Sequence, residues 1–472
     1  MNSDDFRKHA HETVDWIADY FNQIESYPVR SQAGPGDIIK QIPEKAPLRP
    51  EPFSDIMADF NKIILPGMTH WQSPSFFAYF NANNSFPSIL AEMITAAMGA
   101  QCMSWQTSPA ATELEEMMMR WLGDIIHLPE GFTGVIQDTA STATLCSILT
   151  AREKLSGFRA NSEGIEGAAL RVYCSSEAHS SIDKAVSIAG IGSNNLIKIG
   201  VDKNFAMDPV ALNRQIQNDM KKGFRPLAVI AALGTTGSTA IDPLEKIGTV
   251  CRNHGIWYHI DAAYAGTALM LEKHKHLAEG IRFADTFVFN PHKWMFTNFD
   301  CSAYFVRDKD ALINTFSILP EYLRTAEGEQ VNNYRDWGIA LGRRFRALKL
   351  WFVMRSFGVE GLKERVNAHV SWAAELRDKI NSDDCFELLA PVPFATLCFR
   401  YLPPGTTDEI KLNRVNEELM EELNGTGNIY LTHTKLNGRF TLRLVIGQTY
   451  QTKRHILEAW ELIKTTAAGI RL

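Results

Sequence analysis

An aspartate and a lysine each follow a segment that is predicted to be a buried strand. Asp261 follows the apolar run IWYHI (256–260), and Lys293 lies just beyond the run TFVF (286–289). Ligands of open α/β sheets bind beyond the carboxyl ends of parallel strands, so both side chains are expected at one edge of a sheet. A lysine amine there can form a Schiff base with an aldehyde, and a carboxylate can keep a pyridine nitrogen protonated. This pair predicts the cofactor pyridoxal 5′-phosphate (PLP), bound covalently by Lys293, with Asp261 at the ring nitrogen.

Each residue of this pair also has an ordinary structural interpretation. Most lysines are solvated at the surface, but Lys293 lies between an apolar strand and Trp294, where burial favours the neutral, nucleophilic amine. Asp261 could cap a helix, but no helical run of useful length follows it.

Ala263 is expected to pack against one face of the cofactor ring. His179 follows the predicted strand RVYC and is expected to stack on the ring and contact the substrate carboxylate, although a lone histidine is more often structural.

The phosphate of such a cofactor needs fixed hydrogen-bond donors, which a helix N-terminus provides. The segment DTAST (138–142) is predicted to join a strand to a helix, and it offers hydroxyl groups and free backbone N–H groups. The predicted phosphate-binding residues are Thr139, Ala140, Ser141, Asn290 and His292, the last two lying close to the lysine. Ordinary capping by Ser and Thr remains the alternative for the hydroxyl residues. Thr236 and Asp242 follow another predicted strand and are expected to position the ring and its neighbours.

Composition and charge exclude several classes of protein. The 472-residue chain has 45% hydrophobic and 22% charged residues, which is typical of a globular protein. Its formal net charge of -6 argues against a nucleic-acid surface built on bulk positive charge. No unbroken apolar stretch reaches the ~18 residues of a membrane span. The basic run RRFR (343–346) is expected to be a solvated or subunit-facing surface rather than an anion site.

The cysteines and the first residues indicate the cellular compartment. The 7 cysteines are scattered through apolar segments without CxxC spacing, which disfavours a zinc site and a disulfide framework. The opening residues, MNSDDFRKHAHE, mix both charges and are not followed by the apolar region of a secretory signal. We therefore expect a cytoplasmic enzyme with reduced thiols and without a metal, a membrane or a nucleic acid as partner.

Helical and strand-like patterns divide the chain into three parts. Residues 3–25 are predicted to form an amphipathic helix, followed by a proline-rich arm (28–53) that packs either on a partner subunit or on its own domain. Between 86 and 310, helical patterns alternate with short strands, which indicates an α/β fold with a doubly wound, mostly parallel sheet. The predicted domains are 1–85, an N-terminal helical and extended arm, 86–358, a large cofactor-binding domain, and 359–472, a small C-terminal α/β domain.

Several long segments occur in an order that resembles one enzyme family. They include THWQSPSFFAYF, SPAATELE, EAHSS, HIDAAYAG, FNPHKW and LGRRFRALKLWFV. The chain resembles the group II PLP-dependent decarboxylases nearly end to end, and among them the aromatic-L-amino-acid decarboxylases. The resemblance implies a PLP-dependent transferase fold of type I. It also implies a homodimer in which the N-terminal segments are exchanged and the active site lies at the dimer interface.

The resemblance also implies the role of one tyrosine. Tyr322 matches a catalytic tyrosine on a mobile loop (about 317–332), where its phenol would protonate the substrate carbon after CO2 leaves. In related aldehyde synthases this position is typically phenylalanine, or the active-site histidine is replaced by asparagine. Tyr322 and His179 together therefore favour simple decarboxylation.

An aromatic cluster before the sheet matches the substrate pocket of the family. The implied substrate-binding residues are Trp71, Tyr79, Phe80, Met103 and Gly342. Such a pocket suits a flat aromatic ring better than glutamate. Asn81, Gln101 and Met103 differ from the more apolar or aromatic residues of animal relatives, which leaves the preferred ring open. The predicted function is PLP-dependent decarboxylation of tryptophan, tyrosine, phenylalanine or dopa to the arylalkylamine and CO2. The alternatives are a PLP-dependent aromatic aldehyde synthase and a catalytically silent PLP-binding homologue.

Overall fold

A computed structural model describes residues 1–165, 167, 169–318 and 330–470. The chain divides into two compact units. The smaller unit comprises Met1–Asn81, Ala374–Leu389 and Cys398–Leu472, and the larger comprises Ala82–Ala373 and Ala390–Leu397. Both units combine segments that are distant in the chain, whereas the three predicted domains are contiguous, and that three-part division stays a prediction.

Strands and helices alternate through the centre of the chain, as predicted. The strands are β1 (Thr133–Gln137), β2 (Leu170–Ser175), β3 (Leu196–Ile199), β4 (Arg225–Ala232), β5 (Trp257–Asp261), β6 (Thr286–Phe289), β7 (Ser302–Val306), β8 (Phe386–Leu388), β9 (Thr396–Tyr401), β10 (Thr432–Leu436) and β11 (Arg439–Val445). The α-helices are α1 (Ser3–Asn22), α2 (Phe53–Asp59), α3 (Phe86–Met98), α4 (Pro109–Ile125), α5 (Ala140–Ser156), α6 (Ala160–Glu163), α7 (Ser181–Ile188), α8 (Pro209–Lys221), α9 (Leu244–His254), α10 (Pro291–Trp294), α11 (Lys309–Phe316), α12 (Arg346–Asn381), α13 (Glu409–Gly425) and α14 (Lys453–Gly469).

The larger unit contains a seven-stranded sheet in the order β1-β7-β6-β5-β4-β2-β3. Neighbouring strands from β6 through β3 are parallel, and β7 runs antiparallel to both β6 and β1. Strands of parallel sheets are buried on both faces, and β4 and β6 accordingly consist of nearly continuous apolar residues. The prediction of a mostly parallel, doubly wound α/β sheet is confirmed.

Helix α5 packs across the middle of this sheet and carries the residues that begin the functional site. It contacts β1, β4, β5, β6 and β7. Small side chains such as Ala143 and Cys146 allow this close approach, and they pack against Val288 and Tyr304 in one apolar cluster. The N-terminus of α5 therefore has a fixed position at the carboxyl edge of the sheet.

The first helix of the smaller unit, α1, begins with a capping box formed by Asn2 and Asp5. The predicted helix over 3–25 is confirmed as α1 and a short 3₁₀ turn, Ile24–Ser26. None of the residues of α1 is fully buried, although Trp16 and Phe21 pack against Phe60 and Tyr450. The second sheet has the order β10-β11-β9-β8. Within the part of the chain that the structure describes, every helix is too short or too polar to cross a bilayer.

Candidate active site

The parallel pairing of β5 and β6 brings Asp261 and Lys293 to the same edge of the sheet. Asp261 is the last residue of β5, lies opposite Val288 of β6, and accepts a hydrogen bond from the N–H of Ala263 (3.0 Å). The connection continues past the strands, because the N–H of Asn290 donates to the carbonyl of Ala263 (3.0 Å). Lys293 follows in α10, and its N–H donates to the carbonyl of Asn290 (2.9 Å). Short main-chain contacts therefore link the carboxylate-bearing and the amine-bearing segments.

His179 lies between β2 and α7, and the charges of Asp261 and Lys293 affect it. The N–H of Ser181 donates to its Nδ1 (3.1 Å), so the proton of the neutral ring is on Nε2. Partial desolvation lowers the pKa of His179, while the carboxylate of Asp261 raises it and the amine of Lys293 lowers it. His179 follows β2, Asp261 ends β5 and Lys293 follows β6, and these strands belong to the parallel part of the sheet, so the three predicted residues lie at the same carboxyl edge. His179 as a whole residue is exposed to solvent.

The N-terminus of α5 offers backbone N–H donors at the same carboxyl edge of the sheet. Thr139 is the N-cap, and its Oγ1 accepts a hydrogen bond from the N–H of Thr142 (3.3 Å). The capping alternative is therefore realised for this hydroxyl. Among the described residues, no acceptor is found for the N–H groups of Ala140 and Ser141. Unpaired N–H groups and the helix dipole together favour an anion at this point.

Asn290 and His292 are both buried beside Lys293. The Oδ1 of Asn290 accepts a hydrogen bond from the hydroxyl of Ser302 (2.5 Å). The Nδ1 of His292 accepts from the N–H of Cys301 (2.9 Å), so the proton of the neutral ring is on Nε2. Burial, followed by the nearby charge of Lys293, lowers the pKa of His292 to about 3. His292 is therefore a neutral hydrogen-bond donor at physiological pH.

Asp242 and Thr236 lie in different environments beyond β4. Asp242 is buried, and its two carboxylate oxygens accept hydrogen bonds from the N–H groups of Met207 and Ala232 (both 2.7 Å). Burial raises its pKa to about 6. Asp242 thus ties the end of β4 to a neighbouring loop, which is consistent with an indirect positioning role. Thr236 is exposed in the following turn. Direct contact of either residue with the cofactor stays a prediction.

Met103 and Gly342, two of the predicted substrate-binding residues, lie in adjacent segments of the larger unit. The N–H of Arg343 donates to Oε1 of Gln101 (2.8 Å), and the N–H of Cys102 donates to the carbonyl of Arg343 (2.9 Å). A Cβ at Gly342 would lie 3.3 Å from Nε2 of Gln101. The side chain at Gln101 is therefore the immediate neighbour of Gly342.

The expectation that the arginines of RRFR are solvated is wrong for Arg343. Its guanidinium is buried, donates to Oε1 of Glu115 (2.6 Å) and to the carbonyl of Ile136 (3.0 Å), and lies above the ring of Tyr334. A buried acidic partner on α4 explains the burial, because paired charges tolerate a low dielectric. Arg344 of the same run is exposed, in agreement with the expectation.

The remaining predicted pocket residues belong to the smaller unit. The rings of Trp71 and Tyr79 are stacked with centroids 5.7 Å apart, and the guanidinium of Arg443 lies 4.4 Å from the ring centroid of Phe80. Trp71 and Tyr79 therefore form an aromatic pair, and contact of these three residues with a substrate stays a prediction. Tyr322 and most of the predicted mobile loop lie outside the described residues.

Sequence reasoning missed two polar residues that contact the lysine segment. Asn83 donates from its main-chain N–H to the carbonyl of His292 (3.1 Å) and from Nδ2 to the carbonyl of Lys293. The hydroxyl of Ser85 donates to the carbonyl of Phe296 (2.8 Å). The only available signal was the polar run NANNS between two apolar segments, and nothing in the run indicates its partner.

The comparison with protein families decides which chemistry this arrangement belongs to. A family model described as the pyridoxal-dependent decarboxylase conserved domain matches residues 35–402. The chain belongs to this family. It is a PLP-dependent carboxy-lyase of fold type I.

Members of the family are similar to the chain over nearly its whole length. A tryptophan decarboxylase of Camptotheca acuminata is 41% identical and covers 100% of this chain and 96% of its own sequence. A phenylacetaldehyde synthase of Arabidopsis thaliana is also 41% identical, covering 99% of this chain and 97% of its own. The crystal structure of Oryza sativa TDC with PLP and tryptamine has a TM-score of 0.96 at 37% identity and covers 99% of both chains.

The residues of this pyridoxal-dependent decarboxylase fit its cofactor. Lys293 and Asp261 lie at the same edge of the sheet, and an amine and a carboxylate there suit the aldehyde and the ring nitrogen of PLP. The N–H groups of Ala140 and Ser141, which have no acceptor in the part of the chain that the structure describes, suit its phosphate, as does the Nε2 donor of His292. Each part of the cofactor therefore has a chemically matched group in this chain.

Proposed function

We propose that this enzyme decarboxylates aromatic L-amino acids (tryptophan, tyrosine, phenylalanine or dopa) to the corresponding arylalkylamine and CO2. The observation that carries the proposal is the convergence of Asp261, Lys293 and His179 at one sheet edge. Relatives named as tryptophan and tyrosine decarboxylases, about 40% identical over the whole chain, support an aromatic substrate.

Each residue of the site has a defined task in this proposal. PLP, when bound, supplies the electron sink for the electron pair left by CO2. Lys293 would hold the cofactor through Nζ, and Asp261 would keep the ring nitrogen protonated. Neutral His179 presents Nε2–H as a donor to the substrate carboxylate, because Ser181 occupies its Nδ1. The lowered pKa of His179 keeps the ring in this neutral form at physiological pH.

The test is product analysis on a panel of amino acids with enzyme reconstituted with PLP. We expect CO2 and the amine from at least one aromatic amino acid, and no turnover of glutamate. Lys293→Ala should lose both turnover and the visible absorption of lysine-bound PLP. A Lys293→Ala variant that kept that absorption and normal turnover would refute the assignment.

The second candidate is an aromatic aldehyde synthase, which is favoured by the equal similarity to a relative named phenylacetaldehyde synthase. Tyr322 and His179 favour the decarboxylase, because the resemblance associates simple decarboxylation with this pair. The two activities differ in products, since the synthase releases aldehyde, ammonia and peroxide. Peroxide formed in proportion to CO2 by the unmodified enzyme would establish the synthase, whereas binding of PLP without any CO2 would indicate a silent homologue.

We further propose that the enzyme is a cytoplasmic homodimer. Helix α3 carries an apolar stripe of helical spacing, Phe86, Leu90, Met93, Ile94 and Met98, whose members are between 39% and 52% exposed. An exposed stripe of this size is typical of a protein interface, so a second copy is the expected partner. The cysteines are free, and all but Cys385 are buried, as expected of a reducing compartment.

A further inference from the structure

The turn that carries Lys293 is held by residues from a distant part of the chain. Asn83 forms two hydrogen bonds to consecutive carbonyls, one from its main-chain N–H to His292 (3.1 Å) and one from Nδ2 to Lys293. Two residues further on, the hydroxyl of Ser85 donates to the carbonyl of Phe296 (2.8 Å). Asn83 and Ser85 are buried at 2% and 1% exposure. Water is therefore not an available substitute for these donors.

This turn needs donors from outside because it is too short to stabilise itself. Helix α10 contains only 4 residues, Pro291–Trp294, and the last carbonyls of any helix lack partners within the helix. Pro291 receives a hydrogen bond from the N–H of Met295 (3.1 Å), whereas the carbonyls of His292 and Lys293 are satisfied by Asn83.

The chain beyond the turn also has an unfavourable conformation. Phe296 has a φ of 53°, which side-chain-bearing residues rarely adopt. Such a conformation persists only where the surroundings enforce it, and Ser85 contacts the carbonyl of this residue. The segment 83–85 thus contacts the lysine turn at its centre and at its strained end.

We propose that Asn83 is a positioning residue for the reaction, acting through the main chain of Lys293. Its Nδ2 donor fixes the lysine carbonyl, and with it the direction in which the Lys293 side chain leaves the main chain, so that Nζ would be placed to bind the cofactor. This proposal rests on the proposed PLP chemistry of Lys293. The Nδ2 donor is the essential feature, since the main-chain bond to His292 is independent of the side chain.

The test compares Asn83→Ala and Asn83→Asp with a matched buried asparagine. Asp has the shape of Asn but lacks the donor, so Asn83→Asp separates donation from packing. The control is Asn424→Ala, because Asn424 is buried in the smaller unit and forms two hydrogen bonds with the main chain of Leu431 (3.0 and 2.8 Å). All three variants lose a buried amide, but only the first two lose the donor to Lys293.

The measurements are the rate at which the apoenzyme forms lysine-bound PLP, followed by visible absorption, and the separate values of kcat and KM. Borohydride reduction and peptide mass analysis identify the lysine that is modified. We expect both Asn83 variants to capture PLP about 10- to 100-fold more slowly, with kcat reduced by a similar factor, because displacements of ~1 Å cost about that much. The KM of the Asn83 variants should change less than about threefold. The capture rate and the kcat of Asn424→Ala should also stay within about threefold of the wild-type values.

The outcomes distinguish this proposal from the function on which it rests. Wild-type capture rates and kcat in Asn83→Asp would overturn the positioning role, as would an equal loss in Asn424→Ala. A wild-type enzyme that acquires no lysine-bound PLP would instead overturn the proposed function itself. If Asn83→Ala does not fold, as judged by its thermal melt, Asn83→Asp alone decides the question.

Discussion

Replacing Arg343 by methionine tests how a buried ion pair stabilises the segment next to Gly342. The guanidinium donates to Oε1 of Glu115 (2.6 Å) and to the carbonyl of Ile136 (3.0 Å), and both side chains of the pair are 4% exposed. Methionine retains much of the volume but removes the charge and both donors. The carboxylate of Glu115 would then be buried with the N–H of Ile136 (2.8 Å) as its remaining partner.

The magnitude follows from the burial of the pair. Removing one member of a buried ion pair costs about 3–5 kcal/mol, because the other charge is left uncompensated. Neutralising that charge as well, in Arg343→Met with Glu115→Gln, should recover most of the loss, since glutamine can still accept from the N–H of Ile136. The double variant should be about 1–2 kcal/mol less stable than the wild type, which reflects the unsatisfied carbonyl of Ile136.

Urea denaturation of the apoenzyme, followed by tryptophan fluorescence, measures these differences. Arg344→Met is the matched control, because the Arg344 side chain is 55% exposed and its ion pairs should contribute less than about 1 kcal/mol. The reasoning would be refuted if Arg343→Met cost no more than Arg344→Met. It would also be refuted if the double variant were as unstable as the single variant.

Three further predictions concern pH, assembly and product. Burial lowers the pKa of His259 to about 4 and that of His292 to about 3 from the ordinary value of 6.5, so the unfolded chain binds protons more readily. The free energy of unfolding should therefore decrease as the pH falls from about 6.5 towards about 4. Urea midpoints that stay constant over this pH range would contradict the prediction. If the enzyme forms the proposed homodimer, Leu90→Glu should raise its dissociation constant at least about 100-fold in sedimentation experiments by placing a charge in the apolar stripe, unlike Ile410→Glu on the exposed face of α13. Tyr322→Phe should divert product from amine to aldehyde with peroxide, and an unchanged amine yield would exclude Tyr322 from the chemistry.

Local patterns were sufficient to predict the sheet and the positions of Asp261 and Lys293 at its edge. The apolar runs before Asp261 and Lys293 formed β5 and β6, because strands buried on both faces need continuous apolar residues. The cap at Thr139 was predictable for a similar reason, since a polar residue between a strand and a helix has few other local roles. The substrate-pocket residues were inferred from resemblance alone, and their roles remain predictions.

The sequence by itself determined which residue types reach the carboxyl edge of the sheet, because strand ends and turns depend on neighbours in the chain. Only the tertiary structure decided which polar groups support them. Asn83 and Lys293 are 210 residues apart, and Glu115 and Arg343 are 228 residues apart. The sequence around each residue does not indicate its partner. The pairing arises when distant segments are buried together, because their donors and acceptors must then be satisfied without water.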